Sequence, residues 1–262
     1  MKKNCLLCFL LFFSCHSALA GESLDSLLNV LDKTIKEADT YVQIKENKLH
    51  ELKKEARKTP PFSVERYNLN NDIYLEYKAY SSDSALHYLN ENMLLARQLN
   101  DKERELKIQL ELSYLLSSIG MYMEAADILN SIDRQTLPSS LLGHYYTCYE
   151  HVYFEAGAAQ PRYKMFASRY VKLSHAYRDS MQITLDPSSA TYLWLRETQL
   201  REAGKYDEAL EFSDRRLAES SFGTPQYALV AYQRFRLFES MGKKDEHLYL
   251  SLIHISEPTR PY

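Results

Sequence analysis

The stretch whose reading decides the fold is "AGKYDEALEF", residues 203–212. Gly204, Tyr206 and Ala209 have the spacing of two antiparallel helices joined by a tight turn. A glycine ends the first helix without a Cβ penalty. The alanine lets the second helix approach the first closely, and the aromatic ring fills the space beside the crossing. The same spacing returns in "IGMYMEAADIL", residues 119–129, as Gly120, Tyr122 and Ala125, with Leu129 four further on. Weaker copies are "YSSDSALHYL", with Ala85 at the crossing, "AGAAQPRYKMF", with Gly157 as a stop and Pro161 at a helix start, and "MGKKDEHLYL", where Gly242 is followed by His247 in the alanine slot. The crossing positions Ala85, Ala125, Ala209 and His247 are separated by 40, 84 and 38 residues, and the long interval holds one degenerate unit near Tyr163 to Ala167.

A period near 40 residues built from helix pairs marks an α-solenoid, and this spacing is that of the tetratricopeptide repeat. Breakers at Asn100-Asp101, Thr136 to Ser140, Asp186-Pro187 and Gly223 to Pro225 place hairpins at 64–98, 101–133, 138–183, 187–220 and from 224 onward. Apolar residues recur at three and four spacing, as in Ile108, Leu112, Leu115 and Ile119. Among 262 residues there are 7 glycines and 8 prolines, too few turn formers for a β fold. The expectation is an all-α, tetratricopeptide-like solenoid of about five hairpins over 60–249, the last one truncated, preceded by a long helix or helix pair over 21–59.

The first twenty residues, "MKKNCLLCFLLFFSCHSALA", have the form of an export signal. Lys2 and Lys3 form the charged region, Cys5 to Phe13 the apolar run, and Ala18 to Ala20 a small-residue site that predicts cleavage between Ala20 and Gly21. A rival reading takes "FFSC" as a lipoprotein box with Cys15 lipidated, although Phe12 stands where such a box usually has leucine. Either way the chain is expected to be exported to a bacterial periplasm. Cys5, Cys8 and Cys15 lie in the signal, so the mature chain keeps Cys148 alone and forms no internal disulfide. Losing Lys2 and Lys3 moves the formal charge from −3 to −5, which argues against nucleic acid as a partner. From Leu24 an apolar series runs through Leu28, Leu31, Ile35, Ala38 and Val42 to Leu49, Leu52 and Ala56, interrupted by Lys45. That seam reads either as a coiled coil able to self-associate or as a stripe that caps the first repeat.

No H-E-x-x-H, G-x-S-x-G, phosphate-loop or G-x-G-x-x-G motif occurs, and no catalytic residue, cofactor site or metal site is assigned. His144, His151 and Glu155 share a helix face at seven and four spacing, a pattern that is also common on solvated solenoid helices. Cys148 has histidines nearby but no demonstrable oriented base. Tyr145, Tyr149 and Tyr153 also share one face; they are either packing between helices or a partner groove on the concave side.

Beyond the repeat itself, "LDSLLNVLDKTIKEADTYVQIKENKLHELKK" and "PPFSVERYNLNNDIYLEYKAYSSDSALHYLNENMLLARQLND" carry a resemblance over 21–249. The chain resembles the N-terminal part of a Bacteroidota family of exported tetratricopeptide proteins similar to membrane-anchored regulators. In such regulators a periplasmic helical sensor precedes one transmembrane helix and a cytoplasmic, DNA-binding part. The resemblance implies a non-enzymatic module that binds a protein or peptide; the alternative is a free-standing periplasmic scaffold or adaptor for envelope complex assembly. The ending "LSLIHISEPTR", residues 250–260, resembles instead the translation of a transposase-end sequencing adapter. Residues 250–262 are therefore expected to be foreign to the protein, with the intact gene continuing into the remaining helix and then a membrane span.

Overall fold

The structure, a computed structural model, describes residue 36 and residues 38–160, 162–221 and 224–243. The expected signal segment with Ala20 and Gly21, the first half of the heptad seam, His247 and the residues from 250 lie outside the described residues. Among the described residues ten α-helices follow one another: α1 (Ala38–Ala56), α2 (Val64–Tyr77), α3 (Ser82–Gln98), α4 (Lys102–Ser118), α5 (Tyr122–Ser131), α6 (Ser139–Ala158), α7 (Lys164–Thr184), α8 (Ala190–Glu202), α9 (Tyr206–Ala218) and α10 (Pro225–Met241). No strand occurs among the described residues. The protein is an all-α, tetratricopeptide-like solenoid.

Helices α2/α3, α4/α5, α6/α7 and α8/α9 pack as successive hairpins, and each hairpin touches its neighbours along the row. We call the first helix of each pair the A helix and the second the B helix, with α10 the A helix of a fifth unit. Polar caps start every A helix but α6: Ser63, Asp101, Ser189 and Thr224 accept from the backbone N–H three residues on, whereas Pro138 precedes α6. Reversal at the ends of α4 and α8 needs a left-handed residue, supplied by Gly120 (φ 88°) and Gly204 (φ 73°). There the N–H groups of Met121 and Lys205 reach back to the carbonyls of Leu116 and Leu200, both at 2.9 Å, closing the helix end. Asn100 (φ 52°) does the same work after α3, since asparagine tolerates this conformation better than most side chains. Gly242 (φ 71°) ends α10.

Ala85, Ala125 and Ala209 sit at the crossings with no exposed surface. At the second crossing the Ser113 hydroxyl donates to the Ala125 carbonyl at 2.9 Å, which a larger residue at 125 would push apart. Tyr122 and Tyr206 are half-buried beside their alanines. The later half of the heptad seam, Leu49, Leu52 and Ala56, packs against Tyr67, Ile73, Tyr74 and Tyr77, whereas Val42 and Ile44 are exposed. Helix α1 thus caps the first hairpin with its C-terminal half. Among the described residues no helix is long and apolar enough to cross a membrane.

Candidate functional site: a polar ladder across the A helices

The A helices α2, α4 and α6 bring together side chains that lie more than thirty residues apart in sequence. Glu111 of α4 is the centre. The Tyr74 hydroxyl donates to Glu111 Oε2 at 2.6 Å, and Lys78 Nζ, at the C-cap of α2, donates to the same oxygen at 3.0 Å. His144 Nε2 of α6 lies 3.7 Å from the other carboxylate oxygen. One turn further along, Lys78 Nζ stands 4.5 Å from the centre of the Tyr114 ring, a cation–π contact. Tyr114 stacks on His151 at 4.0 Å and 9°, and His151 Nε2 meets the Ser118 hydroxyl at 2.9 Å. The ladder runs Tyr74/Lys78, Glu111, His144 and then Tyr114, His151, Ser118.

Burial and charge set the protonation of these groups. Burial pushes the Glu111 carboxyl up, but Lys78, His144 and the donors on its oxygens outweigh that, so it stays ionised below the usual carboxylate range. Burial and then the Lys78 ammonium hold His151 down to about 4. His144 is also pushed down by burial, with Glu111 pulling the other way. Burial, with nearby Cys148 and carboxylates, raises Tyr114 to about 12. At neutral pH the ladder therefore holds one fixed carboxylate, one ammonium, two neutral imidazoles and two undissociated phenols. That set can hydrogen-bond and stack against a polar chain.

The residues singled out from sequence fall into three groups. His144 and His151 share a face of α6, but they turn to different partners on α4, and among the described residues no group of three His, Cys, Asp or Glu could hold a metal ion. Cys148 is fully buried with its thiol on the Leu110 carbonyl at 3.4 Å, and burial drives its pKa well above the usual thiol value, which leaves it unreactive. Tyr145 and Tyr149 are buried between α6 and its neighbours, and Tyr153 is half-buried. Tyr149 stacks on Tyr177 of α7 at 4.6 Å and 4°, Tyr153 on the same ring at 5.7 Å, and the Tyr149 hydroxyl meets Asn130 at 2.9 Å. These rings serve the packing of α6 on α7, and only the rim of Tyr153 faces outward.

Sequence reasoning missed Lys78, Glu111 and Tyr114, and it missed the buried pair Glu150–Arg178. Arg178 Nε lies 2.8 Å from Glu150, both side chains being under 5% exposed, and its Nη1 reaches Glu202 of α8 at 2.9 Å. One signal was present: a glutamate inside the apolar run "YYTCYEHVYF" must find a buried partner.

No curated protein matches the chain. The family model described as the SusR N-terminal TPR domain matches residues 35–254, which takes in every described helix and all the residues of the ladder. On that match, and on the helix hairpins that carry it, the chain belongs to the family of SusR N-terminal TPR domains.

Proposed function

We propose that this chain is a non-enzymatic receptor module that binds a protein or peptide along its A helices. In this reading it forms the periplasmic sensor part of a membrane-anchored signalling or transcription-regulating protein. Tetratricopeptide domains generally mediate protein–protein interactions, and the observation that carries the reading here is the ladder. Fixed donors, acceptors and a stacked ring pair lie side by side on three consecutive A helices, half-buried apart from the fully buried Tyr74, and already oriented. An extended peptide offers matching groups at each step. The export-signal pattern at the N-terminus supports a periplasmic address.

Photo-crosslinking in cells tests the binding role. A photoreactive side chain placed at Ser118 should give a protein adduct in the periplasm, and one at Ala218, exposed on α9, should not. Equal adducts from both positions, or none from either, would remove the ladder as a binding face. Sequencing the locus tests the membrane-anchored reading: an apolar span should be encoded in the same reading frame as the repeats, and its absence would remove that reading.

A further inference from the structure

We infer that the outer face of α7 is a docking surface for an anionic lipid bilayer. Between Glu155 and Asp179 the chain has no acidic residue and five cations: Arg162, Lys164, Arg169, Lys172 and Arg178. Arg178 points inward and is neutralised by Glu150 and Glu202. The other four are exposed, and among the described residues none has a carboxylate within ion-pair distance. In a chain of net charge −3 this is a local concentration of unpaired positive charge. Large apolar side chains stand among those cations. Met165 is 75% exposed, and Tyr163, Phe166 and Val171 are exposed as well. Met165, Arg169 and Lys172 fall at four and three spacing and share the outermost line of the helix. The opposite side of α7 is already used: Tyr170 and Tyr177 stack on Tyr153, and Met181 is fully buried.

Two features together select the occupant. Cations alone would suit any acidic partner, and exposed apolar chains alone would suit any apolar one. A line of cations on an exposed helix with apolar chains along its flanks suits a bilayer interface, where lysine and arginine meet lipid phosphates while methionine, phenylalanine and tyrosine enter the headgroup boundary. This surface is separate from the A-helix ladder and does not depend on what the ladder binds.

Methionine footprinting on the full chain tests it with an internal control, because Met123 on α5 is 76% exposed, matching Met165. Dilute peroxide should oxidise both equally in solution. With an excess of saturated phosphatidylglycerol vesicles Met165 should be protected at least about fivefold more than Met123, and with phosphatidylcholine vesicles neither should be. Each cation near an anionic surface is worth about fivefold in partitioning, so Arg169→Glu with Lys172→Glu should abolish the selective protection. Equal protection of both methionines, or none, overturns the proposal. Protection that survives the double charge reversal does so too. Failure to bind vesicles would leave this face to an acidic protein partner and would equally refute a lipid surface.

Discussion

His151 gives a marked pH dependence on the acid side at the scale of single residues. Its imidazole is held down to about 4 in the folded chain, first by burial and then by Lys78, so an unfolded chain binds its proton more readily. Stability from this group is complete above its ordinary value near 6.5 and is lost as pH falls through the folded value. Between neutrality and mild acid the loss is about 2 kcal/mol, allowing for a ring that solvent partly reaches. His144 shifts in the same direction. Glu111, held below its usual range, adds a further loss only at more acid pH. His151→Phe keeps the stack on Tyr114 and removes the titration, so urea melts at pH 7 and 4.5 should differ less for the variant than for the parent. An unchanged difference would mean that the ring titrates freely in the folded chain.

At the scale of elements, two contacts between helices can be separated from the background. Ala209 is fully buried where α9 crosses α8, whereas Ala218 is exposed on the same helix. Ala209→Leu should cost roughly 1–3 kcal/mol through overpacking, and Ala218→Leu within about 0.5 kcal/mol. Equal melting temperatures would show that the α8–α9 crossing lies elsewhere. The Glu150–Arg178 pair makes a second case. Arg178→Met strands a carboxylate between α6 and α7 and should cost about 3–5 kcal/mol, and adding Glu150→Met should recover much of it. A double variant as unstable as the single one would argue that the pair stabilises beyond what packing replaces. These elements also show what sequence can and cannot reveal. The crossings at Ala125 and Ala209 were legible because the glycine, and the aromatic and alanine at +2 and +5 from it, each meet a local demand of the α4/α5 and α8/α9 turns. Glu111 was not legible, because its neighbours Lys78 and His144 lie more than thirty residues away on either side. Which side chains face across adjacent repeats depends on a packing register that no local pattern encodes. The tyrosine series was half legible: four-residue spacing put Tyr145, Tyr149 and Tyr153 on one face, but the burial of that face by α7 required Tyr177 to be found.

At the scale of the whole row, the substantial contacts among the described residues run between neighbouring hairpins, so stability is a sum of local terms and not one shared core. The buried residues divide accordingly. One cluster joins α1 to α4, a second spans α4 to α8, and smaller ones hold α8, α9 and α10 together. Leu49 of α1 is nearly completely buried in the first cluster against the α2 tyrosines. Leu49→Ala should therefore remove about 2–5 kcal/mol from one end of the row. Its effect should fade with distance, because later hairpins reach that cavity only through intervening interfaces. Hydrogen exchange should accelerate in α1 to α3, and amides in α8 and α9 should keep the parent's protection. Mass spectrometry on peptides from each helix would resolve the gradient. Uniform acceleration over all the helices would instead reveal a single cooperative unit, and the sensor reading would then have a physical route for a signal from one end of the solenoid to the other.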